Sequence, residues 1–129
     1  MSDKFKVEII SPEKTIISSD AKEVIIPSYE GEMGILKDHI PLITFLRPGV
    51  IKILNNTDKK FFVEDGTVEF SNNNLLVLSS TVKEISKIDM NNIKILLNEA
   101  EQKISQNNLT DKERYSISYK IQTLKNITK

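Results

Sequence analysis

Glycine and proline divide this chain in two. All four prolines and all four glycines fall between Pro12 and Gly66, and the stretch 88–129 contains neither. Both residues punctuate turns and interrupt helices. The first part must therefore be built of short elements, whereas the second is free to run as helix. Within residues 1–87, Phe5, Val7 and Ile9 alternate with Lys6, Glu8 and Ile10, a period of two ended by Ser11-Pro12. Thr15-Ile16-Ile17 and Val24-Ile25-Ile26 follow, separated by an expected turn at Ser18-Ser19-Asp20 and stopped by Pro27. Further apolar runs are centred on Ile35, Thr44, Lys52, Phe62, Glu69 and Leu76, with turn chemistry at Pro48-Gly49, Asn55–Asp58, Asp65-Gly66 and Asn72–Asn74. Short strands at intervals of about 8–12 residues predict an antiparallel β-sandwich over 1–87. Its expected core is Phe5, Val7, Ile9, Val24, Ile26, Leu42, Ile51, Ile53, Phe62, Val68, Leu76 and Leu78.

The periodicity changes at residue 88. Asp89 suits an N-cap, and Ile93, Leu96, Leu97, Ala100 and Ile104 form one helical stripe. Gln106-Asn107-Asn108 breaks it, and Thr110 with Glu113 spells a capping box for a second helix striped by Ile117, Ile121 and Leu124. An antiparallel two-helix hairpin over 88–129 completes an α+β chain. Its second helix uses poor helix formers, among them Tyr115, Ser116, Ser118, Tyr119 and Thr123, each about 0.4–0.7 kcal/mol worse than Ala. The hairpin is not expected to stand alone; it needs its own β-domain or a partner.

Composition narrows the function. Eighteen basic residues balance eighteen acidic ones, so no global field favours nucleic acid. The chain has no Cys and a single His, which removes thiolate chemistry, disulfides and His-rich metal sites. A reducing compartment follows, with no metal and no cofactor expected. No apolar run approaches the roughly 20 residues of a membrane span, and the N-terminal residues carry neither an apolar h-region nor transit character. A Ser/His/acid triad would have to use His39, without any Gly-x-Ser-x-Gly elbow. Carboxylate pairs such as Glu30/Glu32 and Asp65/Glu69 have the density of a solvated surface. The chain reads as non-catalytic.

One segment is more specific. Glu30-Gly31-Glu32-Met33-Gly34-Ile35, then His39-Ile40-Pro41-Leu42, then Leu46-Arg47-Pro48-Gly49, closely resembles the signature of the epsilon subunits of F-type ATP synthases. Val7–Glu13 and Asp65–Phe70 look like further family features, although Asp65 stands where a glycine is usual. The resemblance implies a non-catalytic rotor part of a proton-translocating synthase, linking the gamma subunit to the c-subunit ring. It places the chain peripherally at the cytoplasmic face of a bacterial plasma membrane, without insertion. Glu32 and His39 match the positions that meet the c-ring, on a loop shaped by Gly31, Gly34 and Pro41, with Pro48 and Gly49 shaping the next turn.

The resemblance also implies a switch. In many family members the hairpin lies docked or extends into the catalytic head, its basic face meeting acidic segments of the alpha and beta subunits. Here Arg114, Lys120 and Lys125 are the matching cations, in a stretch 110–129 whose net charge is +3. The helix macrodipole, which favours lysines in a last turn, explains that distribution equally well. Some members bind ATP through Ile/Leu-Asp-x-x-Arg-Ala. This chain has Ile88-Asp89-Met90-Asn91-Asn92-Ile93, which keeps Asp89 but lacks the guanidinium fork. A free-standing regulator that responds to a nucleotide or peptide is the alternative reading.

Overall fold

The computed structural model describes residues 3–128. Ten strands are followed by a 3-10 turn and two helices: β1 (Phe5–Ile10), β2 (Thr15–Ala21), β3 (Glu23–Ser28), β4 (Gly31–Leu36), β5 (Leu42–Leu46), β6 (Gly49–Leu54), β7 (Lys59–Val63), β8 (Gly66–Ser71), β9 (Asn74–Leu78), β10 (Lys83–Glu84), the 3-10 turn Ile85–Lys87, α1 (Met90–Ile104) and α2 (Asp111–Ile127). The strands run in the order β10-β7-β6-β3-β5-β8-β9-β1-β2, with β4 on the other edge of β3. Only the Ser28–Leu46 pair joins β3 to β5, so the ladder folds there into two five-stranded layers, β4-β3-β6-β7-β10 and β5-β8-β9-β1-β2. All pairings are antiparallel except β1 with β9.

Between the layers lies a closed apolar core. Phe5, Val7, Ile9, Val24, Ile26, Ile51, Ile53 and Val68 are buried there as the alternation predicts, joined by Ile35, Leu46, Phe61, Val63, Phe70, Leu75 and Val77. Four expected core positions shift. Leu76 is only half-buried and Leu78 is 45% exposed, while Leu75 and Val77 point inward. The run Leu75–Leu78 is apolar on both faces, so its own pattern could not set the phase. The Asn72-Asn73 turn sets it: both residues are left-handed (φ 50° and 59°), the type I′ geometry that pairs Phe70 with Leu75. Leu42 is half-buried at the core's margin. Phe62 is buried outside the sandwich, under the helices.

Two punctuation marks also read differently. Ser18-Ser19-Asp20 is not a turn but part of β2, paired with Glu8, Val7 and Lys6. As an outermost strand, β2 needs only one covered face, so polar side chains do not stop it. Pro27 does not end β3; it pairs with Glu32, and its carbonyl accepts the Arg47 amide at 2.9 Å. A proline is tolerated where no ladder donor is required of it.

The helices close as expected. The Asp89 carboxylate accepts the Asn91 amide at 2.9 Å, capping α1. Thr110 and Glu113 form the reciprocal capping box of α2, both bonds at 3.1 Å. The hairpin lies against the β6–β7 face: Ile93 and Leu124 cluster with Phe62, and Ile85, Ile88, Leu96, Leu97 and Ile127 pack against them. This is a docked hairpin.

Candidate interaction surfaces

Three surfaces carry the residues of interest. The first follows from strand alternation on β5. Leu46 faces the core, so Ile43 and Phe45 must face out, and they are 76% and 61% exposed. Cross-strand pairing continues the row from Phe45 through Thr67 to Leu78. A groove of about 930 Å³ opens beside it, lined by Ile10, Pro12, Tyr29, Phe45, Leu78 and Lys112 among others. Ile40 and Leu36 are exposed as well. Nothing in the sequence reading singled out Ile43 or Phe45; the outward half of the Leu42–Leu46 run was the available signal.

The second surface holds Glu32 and His39, and the structure does not bring them together. Gly31–Leu36 is a strand rather than a loop, with Glu32 near its start and His39 in the turn beyond its end. At roughly 3.3 Å per residue, Glu32 and Leu36 lie about 13 Å apart. The His39 amide donates back to the Leu36 carbonyl at 3.1 Å, which keeps His39 at that far end. Glu32 is exposed and borders a cleft with Pro27, Arg47, Lys60, Tyr119 and Gln122. His39 is half-buried, its ring edge-on to Phe70 at 6.0 Å. Its Nδ1 lies 2.7 Å from the Ile40 carbonyl, an acceptor only, so that nitrogen carries the proton. Asp38 adopts a left-handed conformation (φ 67°) and is held by Asn73 through two bonds, of 2.7 and 3.0 Å. Gly31 is also at positive φ (125°), which suits the start of the strand after the Tyr29-Glu30 turn. Gly34 lies under the Glu23 carboxylate, which an added Cβ would meet at 2.8 Å. Pro41 is exposed at the entry to β5.

The third surface is the seam between β-domain and α2. Arg47, Pro48 and Gly49 are buried rather than presented as an open turn. The Arg47 guanidinium lies 3.8 Å from the centre of the Tyr119 ring, and its Nη1 donates to the Pro48 carbonyl at 3.0 Å. Tyr29 stacks on Tyr115 at 5.7 Å, and Tyr115 packs edge-on against Tyr119 at 4.8 Å. The Tyr115 hydroxyl donates to the Tyr29 carbonyl at 2.9 Å, while the Tyr29 hydroxyl meets Ser116 Oγ at 3.1 Å. Burial, then the neighbouring Tyr119, push the Tyr115 hydroxyl above its ordinary pKa of 10.0.

The three basic candidates separate here. Lys120 pairs with Glu64 at 2.6 Å, both side chains under one-third exposed. Arg114 donates to the Ile104 and Gln106 carbonyls at 3.0 and 3.1 Å, closing the end of α1. Lys125 is exposed in the last turn of α2. Asp89 serves the helix cap already described. Among the described residues, no group of three or more His, Cys, Asp or Glu side chains could hold a metal, and no helix is long and apolar enough to cross a membrane.

Comparison with known proteins gives these surfaces a context. Residues 4–85 match the family model of the ATP synthase delta/epsilon chain β-sandwich domain. An ATP synthase epsilon chain from Pelagibacter ubique is 48% identical over 129 residues, covering 98% of this chain and 99% of that one. Another from Desulfitobacterium hafniense (strain Y51) is 30% identical over 119 residues, covering 92% and 90%. Among solved structures, a chain of the Euglena gracilis mitochondrial ATP synthase superposes with a TM-score of 0.76 at 15% identity, covering 99% of this chain and 81% of that one. A chain of the Tetrahymena thermophila mitochondrial ATP synthase central stalk and c-ring gives 0.67 at 16% identity, covering 96% of each. With residues 4–85 matched by the family model and nearly its whole length shared with such relatives, the chain belongs to the epsilon-chain family of the ATP synthases.

Proposed function

We infer that the chain works as a non-catalytic central-stalk subunit of an F-type ATP synthase, joining a gamma subunit to the c-subunit ring. Family membership favours this over a free-standing regulator. The observation that carries it further is the inequality of the sandwich's two outer faces. One, around Phe62, is covered by the chain's own hairpin. The other, with Ile43, Phe45 and Leu78, is apolar and bare. A contiguous apolar face on a chain of this kind marks a partner surface, and gamma is the partner assigned to it. Ring contact belongs to the free edge of β4. Because Glu32 and His39 lie at its two ends, the footprint is spread along the strand, and each polar contact contributes little. Such a subunit sits peripherally at the cytoplasmic face of a bacterial membrane, held there through its partners.

Contact with the alpha and beta subunits belongs to an undocked hairpin, because Lys120 and Arg114 are both engaged in the docked one. Lys125 is exposed in the docked hairpin. The test is binding of the purified chain to gamma. Ile43→Glu with Phe45→Glu should weaken it roughly 30-fold or more, while the chain keeps its thermal midpoint. Undiminished affinity would remove gamma from this face.

A further inference from the structure

The bare face and the ring edge concern other subunits; the seam between β-domain and α2 concerns the hairpin. We propose that the Arg47-Pro48-Gly49 turn, together with Tyr29, is a receptor for α2, and that the Arg47–Tyr119 stack is the contact that keeps the hairpin docked. The proposal rests on the chain's own contacts and not on the assignment of gamma or the ring.

Three features lead to it. First, the apolar attachment of the hairpin is small. Only Phe62, Ile93 and Leu124 are fully buried in that cluster, against the much larger set between the sheets. Second, directional contacts concentrate on one face of two turns of α2. Tyr115, Ser116, Tyr119 and Lys120 meet Tyr29, Arg47 and Glu64 through one stack, two hydroxyl bonds, a cation over a ring and an ion pair. Apolar contacts are indifferent to orientation, whereas the two hydroxyl bonds and the ring contacts require α2 to sit in one register on the sheet. Third, the turn is shaped around Arg47. A Cβ at Gly49 would lie 2.5 Å from Pro27 Cβ and 3.2 Å from Arg47 Nη1, so glycine lets the turn pass close over Pro27 and avoids crowding the guanidinium. Arg47 is 8% exposed, and its side chain stays buried because Tyr119 roofs it.

The same geometry makes the latch adjustable. A desolvated cation over an aromatic ring is a strong contact. Against that, Arg47 Nε is buried without a hydrogen-bond partner, and an unsatisfied donor opposes docking. When α2 lifts, the ring contact is lost. The unpaired Nε offsets only part of the ring contact, leaving a net hold that neighbouring subunits can overcome. Lysine would not substitute, since it lacks the planar group that lies flat on Tyr119.

Trypsin cleavage of the full-length chain after Lys112, Arg114 and Lys120 reports hairpin opening, because cutting follows the open population. Arg47→Ala and Arg47→Lys should both accelerate it, by roughly tenfold, with Tyr119→Leu acting alike and Tyr119→Phe close to the parent. The acceleration should persist in high salt, where exposed ion pairs are screened. The urea midpoint of the β-domain, followed by the exchange of its sheet amides, should not move. Parent-like cleavage in Arg47→Ala would overturn the proposal, as would full rescue by lysine. A β-domain midpoint that fell with Arg47→Ala would make Arg47 a scaffold residue instead, and would equally overturn it.

Discussion

The two phenylalanines at 61 and 62 are neighbours on one strand with opposite attachments. Phe61 faces the inter-sheet core, where apolar side chains from both layers close around it. Phe62 faces the hairpin and depends on Ile93 and Leu124 for its cover. Both are essentially inaccessible to solvent, so burial alone does not distinguish them. What differs is whether the covering group can leave. The β-domain is enclosed by its own ladder, in which each strand is fixed by two neighbours except at the edges. The hairpin is fixed by a small apolar contact and a row of directional ones. One region is closed on itself; the other is held on through a smaller contact.

The sharpest way to break that contrast is the same substitution at the two positions. Phe61→Ala should destabilise the whole fold by about 3–5 kcal/mol, as transfer and cavity costs combine. Phe62→Ala should cost less, about 1–3 kcal/mol, because the loss cannot exceed what docking itself contributes. Urea denaturation with separate probes on sheet and helix would show it. Equal losses at both sites would make the hairpin as integral as the sheet.

A smaller effect probes the hairpin's own start. Thr110→Ala removes the α2 cap and should cost about 1 kcal/mol, seen in helical circular dichroism before any β-sheet signal. Its partner adds a pH dependence. Hydrogen bonds from the Thr110 backbone and side chain hold the Glu113 carboxyl below its ordinary 4.5. A depressed folded-state pKa means that this contribution is complete above the unfolded value and is lost as pH falls through the folded one. Acidification below about pH 4.5 should therefore loosen the start of α2 in the parent and change little at that site in Glu113→Gln, which has no carboxyl to protonate.

The smallest effect sits at the Lys120–Glu64 pair. Partly exposed, it contributes at most about 1 kcal/mol, so Glu64→Gln should raise hairpin opening modestly at low salt and hardly at all at high salt. A large, salt-independent change would shift the hold of the seam away from Arg47 and onto this pair.

How much of this was legible in the sequence depends on the region. The strands and the Thr110–Glu113 box follow from local rules, because turn residues, alternation and caps act over a few positions. The phase of Leu75–Leu78 did not follow, since a run that is apolar on both faces takes its register from the Asn72-Asn73 turn and from partners distant in sequence. Ser18–Asp20 misled for the converse reason: an edge strand needs backbone partners, not apolar side chains. The seam was least legible. Arg47 stood as the variable position of a Leu-x-Pro-Gly motif, and Tyr115 and Tyr119 registered only as poor helix formers. Their spacing of four, with Ser116 and Lys120 alongside, was the signal of a second contact face beside the Ile117–Leu124 stripe. Reading it required Tyr29 and Arg47, which lie more than sixty positions away. Glu32 and His39 matched a motif by spacing, but spacing along a chain that turns out to be a strand separates residues instead of gathering them.

Native-state hydrogen exchange on the full-length chain, read at several sub-denaturing urea concentrations, tests the separation of sandwich and hairpin most directly. Amides of α1 and α2 should exchange through an opening that is lower in free energy than that of β1, β6 and β9, and less dependent on urea because it exposes less surface. If helix and sheet amides instead share one free energy and one urea dependence, the hairpin does not open independently of the sandwich, and the distinction between the two regions fails.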